Sequence, residues 1–437
     1  MQKIKTLLIS LVILIAIVVA LPVILPLNMF LNDVTAKLQR VMHGPVQVRL
    51  LRFEYSPRPA LVLQDVTLDN DPTIGHIEFI RLPLSFYNLT HWGSAVRDVS
   101  AEGARFSPAY AAKLADRMRP RAGDTLSRID DLQLQRASIM LDTNELGPVD
   151  GILRFDSGGN VASLSVSDAS GQSTLDIQPQ GTDFAANFNA RHWTVPLGYP
   201  VVFDALQLKG VISQSGLQIS QIQGELYSGV VTGTAQLDWT NGWKLSGALH
   251  GSSLQAEPLS MVFSPVTHLA GRLEGDATFT YESDSWTHLF EKPAVLADIH
   301  ARDGYLHNFD LVAPLKSSAP VVYARGGRTA FDNLTAKVAV QADHVDITDV
   351  KLDSGKFTAT GQLHVAKGGK LQGQAQSRLA SGGILAVSTV RVGGLLDTPA
   401  FSSSGAHRAG HDDPLDAAAQ VQQNDQHAAE PQAQPAQ

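Results

Sequence analysis

An alternation of apolar and polar residues with a period of two recurs from residue 46 to about residue 400, and it restricts the fold more than any other feature of this chain. Leu164 and Val166 alternate with serines in residues 163–167, and apolar residues recur at close intervals among Ser, Thr, Gln and Asp in Ala60–Leu68 and in residues 217–222 and 345–350. In an extended strand, alternate side chains lie on one face of the sheet. The pattern therefore predicts amphipathic β-strands along most of the chain.

Turn signals separate these runs at short intervals, for example the glycines and asparagines of residues 157–160 and 240–242. Short strands joined in this way are typical of an antiparallel sheet built from meanders. Helical candidates are few, namely residues 110–119, 254–263 and 286–290. Because strands and helices do not alternate, a doubly wound α/β fold is disfavoured, and we predict a mainly β protein.

The N-terminus carries a different pattern. No charged residue lies between Lys5 and Asp33, and residues 7–27 are almost entirely Leu, Ile, Val and Ala. A helix rises about 1.5 Å per residue, so about 20 residues cover the roughly 30 Å hydrocarbon core of a bilayer. We therefore predict a transmembrane helix. Its membrane-anchoring side chains include Leu7, Leu14, Val19 and Leu27.

The charges around this segment predict its orientation. Lys3 and Lys5 precede it, so the positive-inside rule leaves the N-terminus in the cytoplasm and exports the rest of the chain. A cleaved signal peptide is the alternative, since Val18-Val19-Ala20 fits a cleavage box. The apolar run continues beyond that box to residue 27, which is longer than most cleavable apolar regions. An uncleaved single-pass anchor is therefore favoured.

Composition excludes several classes of function. The chain has no cysteine, which rules out disulfides, thiolate nucleophiles and cysteine-ligated metal centres. Its formal net charge is −8, and it has no basic stripe with interleaved aromatic residues, so nucleic acid is not an expected partner. The sequence also lacks the common nucleotide-binding, hydrolase and zinc-protease motifs. We predict no catalytic residues, no metal site and no cofactor.

Two groups of polar residues have spacings that could indicate a metal site or a carboxylate pair. His407 and His411 lie four residues apart and are followed by Asp412 and Asp413, a spacing that would suit a metal on a helix. A flexible polar tail is the better interpretation, because a metal site needs a held geometry. Asp303 and Asp310 flank a glycine turn, where aspartate is favoured by local backbone hydrogen bonds.

An internal repeat and a change of composition suggest how the chain is organised. Residues 217–239 match residues 345–365 at several strand and turn positions, as two copies of one hairpin would. Beyond residue 403, Ala, Gln, Asp, His and Pro dominate, which predicts disorder. The predicted segments are a cytoplasmic tail at 1–6, the transmembrane helix at 7–27, a linker at 28–43, β regions at 44–210 and 211–402, and a disordered tail at 403–437.

Several motifs follow one another in an order that resembles a known family. Residues 59–68 contain a P-x-L-x-L-x-x-V-x-L segment, and residues 224–233 resemble a glycine hairpin with Ser228 at the first glycine position. Residues 303–311 resemble a dGxlxGxDL element with Asn308 in place of a glycine, and residues 390–401 resemble a closing v-x-GtLdxPxf strand. In this order the motifs resemble the AsmA family, most specifically over 211–402. The chain is also similar to the short, singly anchored type II secretion N-protein branch of that superfamily.

The resemblance implies an elongated, curved antiparallel β-sheet with a hydrophobic, groove-like face, anchored in a bacterial inner membrane with its bulk in the periplasm. It also implies a role in the movement of phospholipids and in the integrity of the outer membrane. The closed core of a β-sandwich would explain the same alternation of residues. The side chains that would line the groove are Val231, Ala235, Leu237, Phe357, Ala359 and Leu363.

The leading hypothesis is therefore a non-enzymatic protein of outer-membrane biogenesis that binds or guides acyl chains along an apolar β groove. The expected partners are the inner membrane, phospholipids and other envelope proteins. The alternative is a structural or adaptor component of an envelope assembly such as a secretion system. That component would capture a protein partner at an exposed strand edge or through its tail.

Overall fold

The structure is a computed structural model that describes residues 27–56, 58–91, 95–117, 128–140, 145–195, 200–316, 318–324, 327–381 and 384–410. Strands make up most of these residues and the helices are short, which confirms the mainly β prediction. The chain divides into two compact units. The first unit comprises Met1–Trp193 and Gln207–Ile219, and the second comprises Thr194–Leu206 and Ser220–Gln437.

The strands are numbered along the chain. They are β1 (Val46–Glu54), β2 (Ala60–Leu68), β3 (Gly75–Pro83), β4 (Ala95–Val96), β5 (Val99–Phe106), β6 (Arg128–Ile129), β7 (Asp131–Met140), β8 (Glu145–Phe155), β9 (Val161–Asp168), β10 (Ser173–Gln180), β11 (Asp183–Thr194), β12 (Val202–Ile212), β13 (Gly216–Leu226), β14 (Gly229–Asp238), β15 (Trp243–Gln255), β16 (Leu269–Ser283), β17 (Ala294–His307), β18 (Val321–Ala324), β19 (Arg328–Val340), β20 (His344–Ser354), β21 (Phe357–Ala366), β22 (Leu371–Ser381), β23 (Ile384–Leu395), β24 (Thr398–Ser403) and β25 (His407–Gly410). The predicted boundary between the two β regions at residue 210 falls inside β12.

The described helices are short in comparison with the sheet that they accompany. They are α1 (Leu31–Met42), α2 (Phe86–Thr90), α3 (Pro108–Arg117) and α4 (Ala256–Met261), together with 3₁₀-helical turns at Leu27–Phe30, Trp286–His288 and Ala313–Lys316. The helical segments predicted at 110–119, 254–263 and 286–290 correspond to α3, α4 and the second 3₁₀-helical turn.

The segment predicted as a linker, residues 28–43, contains α1. Leu31, Leu38 and Met42 recur at helical spacing on one face of α1 and join the apolar core of the first unit. The helix ends at His43, which has a left-handed φ of 46°. The amphipathic pattern of α1 covers only 12 residues. Packing against the core of the first unit therefore stabilises the helix.

The sheet of the first unit contains one departure from the predicted antiparallel order. Strands β1, β2, β3 and β5 pair antiparallel in that order, and β7 to β11 also pair antiparallel. Between these two groups, β5 and β7 pair in parallel. A parallel pair needs a long crossover connection that returns the chain to the end of the sheet where the first strand began. The connection that contains α3 provides it.

The core of the first unit lies between this sheet and two helices. Val46, Val66 and Leu68 from the sheet are fully buried. They belong to one apolar cluster with Met42 of α1 and Tyr110 of α3. Burial of side chains of this size contributes about 1.5–3 kcal/mol each, so the helices are held on the sheet chiefly by this contact.

A ladder of alternating charges crosses the other face of the same sheet. Glu102 accepts hydrogen bonds from Arg81 and, at 2.9 Å, from Nη2 of Arg136. Arg136 also donates to Glu78 at 3.1 Å, and Nε of Arg81 donates to Glu54 at 3.3 Å. The hydrogen bond from Arg81, followed by that from Arg136, holds the pKa of Glu102 below its usual value despite partial burial.

This depressed pKa predicts how stability depends on pH. A carboxyl group with a lowered pKa in the folded protein stabilises the fold above its unfolded pKa of about 4.3, and that contribution is lost as the pH falls through the folded pKa. We therefore expect the urea midpoint of the wild-type protein to fall more steeply between about pH 5 and pH 3 than that of Glu102→Gln. Glu225→Gln, which changes an exposed glutamate, should retain the wild-type slope. Equal slopes in all three proteins would contradict the prediction.

The second unit is an antiparallel meander in its described part. Strands β14, β15, β16, β17, β19, β20, β21, β22, β23 and β24 pair with one another in that order. Strand β18, from the connection between β17 and β19, pairs with β24. Strand β25 pairs with β23 through residues 384–387. β25 therefore lies within residues 403–437, the segment predicted as a disordered tail.

Two turns in this unit contain non-glycine residues with positive φ. Tyr227 and Ser228 connect β13 to β14 with φ angles of 47° and 63°. A two-residue turn between twisted strands requires positive φ at both positions, which explains why glycine is the expected residue there. Asn308 has a φ of 60°, a left-handed conformation that asparagine adopts more readily than most other residues.

Candidate functional site

One face of the sheet in the second unit is apolar across most of its strands, and we call it the inner face. The strand register places Leu273, Ala301 and Leu334 side by side on β16, β17 and β19. The same row continues through Leu352 on β20 and Ala359 on β21. Direct partners in an antiparallel pair lie on the same face, so these side chains form a continuous apolar row. All of them are buried.

Short segments of the chain cover this buried row. Leu311 and Leu315 come from the connection between β17 and β19, Ala256 from α4, and Ala406 from the residues before β25. All four side chains belong to the same apolar cluster as the buried row. This end of the inner face is therefore a closed core.

Polar contacts hold the covering segment in place. The buried hydroxyl of Thr329 donates to the carbonyl oxygen of Phe309 at 2.6 Å and accepts from the amide of Leu311 at 2.9 Å. The carboxylate of Asp310 accepts from the amides of Val312 and Ala313. Asp310 thus has the turn role predicted for it, since its carboxylate begins the 3₁₀-helical turn at Ala313–Lys316.

Asp303, the other aspartate that flanks the glycine turn, also has a local role. Its φ of 52° places it at a bulge opposite Gly271, where the register of β16 and β17 shifts. Its carboxylate accepts a hydrogen bond from Arg272 at 2.8 Å. His407 lies in β25, whereas His411, Asp412 and Asp413 lie outside the described residues.

The inner face becomes more exposed four residues further along β17 and β19, beyond the intervening pair of Ile299 and buried Ala336. The next row joins Ala297, Val338, Ile347 and Leu363, and the row after it joins Phe279, Val295, Val340 and Val345. These side chains remain partly exposed to solvent. We call them the open strip.

The opposite face of the same strands is polar, so the open strip is not one side of a uniformly apolar sheet. Asp298, Lys337 and Asp346 alternate with residues of the open strip on β17, β19 and β20, and their side chains point away from it. Placing partly exposed apolar residues on one face and charged residues on the other creates a surface suited to an apolar ligand.

The residues predicted to line a groove are divided between these two environments. Val231, Phe357 and Ala359 are buried in the closed core, and Ala235 is also buried. Leu237 and Leu363 are partly exposed, and Leu363 belongs to the open strip. The structure therefore places all six on the inner face but brings only part of the set to an accessible surface.

Sequence reasoning missed which strand positions form the open strip. Val338, Val340, Val345 and Ile347 follow a period of two, and this alternation is the same as that of the buried row. A period of two identifies the face of a sheet and contains no information on which part of that face another segment covers. No local signal in the sequence would have found the boundary.

A second apolar surface lies on the first unit, close to the point where the described chain begins. The carboxamide of Asn28 accepts a hydrogen bond from the amide of Leu51 at 3.4 Å, which holds the Leu27–Phe30 turn near the end of β1. At the same end of the sheet, Ala60 of β2 pairs with Glu54 of β1 and with Pro83 of β3, just before α2. The exposed apolar residues in this region are Met29, Phe30, Tyr55, Phe86 and Leu89. We call them the end patch.

The predicted anchor is adjacent to the end patch in the sequence. Leu27 is partly exposed and begins the 3₁₀-helical turn, while Leu7, Leu14 and Val19 lie outside the described residues. Among the residues that the structure describes, no helix combines the length and apolar character needed to cross a membrane.

Comparisons with known proteins found no matching family model, no matching curated protein and no matching solved structure. The resemblance to the AsmA family therefore stays a prediction from the motifs.

Proposed function

We propose that this protein is a single-pass inner-membrane protein of the bacterial envelope whose periplasmic body binds phospholipid acyl chains on the open strip. The open strip is the observation that carries the proposal. It is a partly exposed apolar surface on the same face as a packed core, which holds its strands in place.

The dimensions of the open strip suit acyl chains. It crosses five neighbouring strands, β16, β17, β19, β20 and β21, which at about 4.8 Å spacing gives a width of roughly 19 Å. Half of a hydrocarbon core is about 15 Å, which is the depth that one acyl chain spans. Each buried methylene would contribute about 0.8 kcal/mol, so a chain need not be completely enclosed to be held.

The end patch supports the proposed placement at a membrane. Aromatic and aliphatic side chains are exposed where the chain emerges from the predicted anchor, and aromatic residues favour the interface between lipid and water. In this arrangement the first unit would lie next to the bilayer. The proposed activity is passive binding or guidance of lipid in outer-membrane biogenesis, with no catalytic step and no cofactor.

The proposal is tested by purifying the full chain in a mild detergent, extracting bound molecules into organic solvent and identifying them by mass spectrometry. We expect phospholipid in a fixed ratio to protein and, after delipidation, uptake of a phospholipid with a fluorescent acyl chain from vesicles. A protein that carries no lipid and takes none up would overturn the proposal.

The alternative, an adaptor in an envelope assembly, has one structural observation in its favour. Strand β18 pairs with β24 and with no other strand among the described residues, and its Val322 is exposed. An extended segment of a protein partner would add to such an edge. Co-purification of one protein from envelope extracts, lost on Val322→Asp, would favour this function.

A further inference from the structure

Two histidines and one glutamate from separate elements converge at the closed end of the inner face. His268 precedes β16, His307 is the last residue of β17, and Glu257 lies in α4. The amide of His307 donates to the carbonyl oxygen of His268 at 2.9 Å, which continues the strand pairing by one residue. The three residues are therefore brought together by backbone structure, and not by the chance approach of long side chains.

The position of α4 is fixed by its own contacts. The hydroxyl of Ser260 donates to the carbonyl oxygen of Leu269 at 2.8 Å and accepts from the amide of Leu269 at 3.0 Å. Ala256, next to Glu257, is buried in the closed core. Glu257 thus projects from a helix that is attached to the strand beginning beside His268.

The distances between the three side chains suit a shared ion. Nε2 of His268 lies 3.5 Å from Oε1 of Glu257. The rings of His268 and His307 stack with 4.3 Å between their centroids and an angle of 21° between their planes. One potential ligand atom from each residue lies within 4.8 Å of the others. In a tetrahedral zinc site with bonds of about 2.0–2.1 Å, ligand atoms are roughly 3.3 Å apart, so the stacked rings would have to rotate out of their parallel arrangement to direct both nitrogens at one ion.

Burial of His268 is the second observation. Its side chain is only 11% exposed, and its Nδ1 is shielded from solvent without a hydrogen-bond partner. Buried polar atoms are almost always paired, so a buried imidazole with Nε2 beside a carboxylate and Nδ1 without a partner is unusual in an ordinary core. The side chain of Glu257 is 52% exposed, which leaves one side of the cluster open to water.

We propose that Glu257, His268 and His307 bind one divalent transition-metal ion of the zinc class, with water in the remaining position. Two imidazoles and one carboxylate favour Zn²⁺, Cu²⁺ or Ni²⁺ over Mg²⁺ and Ca²⁺, which prefer sites built only from oxygen ligands. The ion would connect α4 to the ends of β16 and β17. It would therefore stabilise the covered end of the inner face, and this role does not depend on lipid binding.

The experiment uses the full chain after treatment with a chelator and measures Zn²⁺ affinity by competition with a chromophoric chelator. We expect one site whose affinity falls at least 100-fold in His268→Ala and in His307→Ala, and at least tenfold in Glu257→Gln. Zn²⁺ should raise the Tm of the wild-type protein but not that of His307→Ala. An excess of Mg²⁺ or Ca²⁺ should not displace Zn²⁺.

A matched control is His250→Ala, which removes an exposed histidine paired with Asp276 at 2.8 Å on the neighbouring strand. This variant should bind Zn²⁺ as the wild-type protein does. Glu257→Gln alters a half-exposed side chain and preserves its size, so its result remains interpretable if a histidine variant fails to fold. The absence of stoichiometric Zn²⁺ binding, or binding unchanged in both Glu257→Gln and His307→Ala, would overturn the proposal.

Discussion

Val338→Asp is expected to reduce the lipid bound to the purified protein at least tenfold, which corresponds to about 1.4 kcal/mol. Val338 lies near the middle of the open strip, beside Ala297 on β17 and Ile347 on β20. An acyl chain on this strip would remove water from the new carboxylate without supplying a partner, and an unpaired buried charge is strongly unfavourable. The measurement is lipid per protein by mass spectrometry, together with uptake of the fluorescent phospholipid.

Leu296→Asp is the matched control for this prediction. Leu296 lies on β17 next to Ala297, but it belongs to the opposite face and is 64% exposed. The substitution introduces the same charge at a nearby position of the sheet. Because it lies on the face opposite the open strip, it should leave lipid binding unchanged. Because Val338 is partly exposed in the free protein, the variant should still fold, and circular dichroism would verify this. Retention of lipid by Val338→Asp, or an equal loss in Leu296→Asp, would contradict the proposed site.

Phe401→Ala is expected to destabilise the second unit by about 3–5 kcal/mol. The side chain is 1% exposed and packs with Leu371, Val390 and Val392. Its ring also meets Phe309 edge to face, with 4.8 Å between centroids. The substitution would remove the ring from a packed cluster and leave a cavity that the surrounding strands fill only in part.

This stability change is measured by urea unfolding followed through tryptophan fluorescence, to which the second unit contributes Trp239, Trp243 and Trp286. Phe86→Ala is the control, because it makes the same substitution at a side chain that is 84% exposed. It should change the free energy of unfolding by no more than about 0.5 kcal/mol. Similar losses in the two variants would show that Phe401 is not the core residue described here.

These two experiments test different properties of the inner face. Phe401 belongs to the packed side chains that hold the last strands together, and its loss should lower stability. Val338 belongs to the part of the face that no described segment covers completely, and its replacement should affect the ligand more than the fold. A sheet that is closed at one end and open at the other is consistent with both expected results.

Local elements could be predicted well from the sequence where the physical cause is local. The positive φ of Asn308 follows from the backbone preference of asparagine in a tight turn. The helix predicted at 110–119 appears as α3, because the chain around Tyr110 has helical spacing. The α1 helix was not predicted, because a helix of this length is stabilised mainly by tertiary contacts, here with the apolar core of the first unit.

Long-range arrangements could not be predicted in the same way. The parallel pairing of β5 with β7, and the pairing of β25 with β23, each join segments whose relation is set by the path of the chain between them. The cluster of Glu257, His268 and His307 has no recognisable ligand spacing in the sequence. These features depend on contacts between residues far apart in the chain, which composition and periodicity do not contain.

The sequence by itself determined that this chain forms amphipathic strands, and it determined which residues of each strand share a face, because side chains alternate in any extended strand. Only the tertiary structure decided how deeply each apolar residue is buried. Leu334 and Val338 occupy equivalent positions in the alternation of β19, yet Leu334 is buried under the covering segment and Val338 stays partly exposed. The physical reason is that exposure depends on what packs above a strand, and the covering residues come from distant parts of the chain.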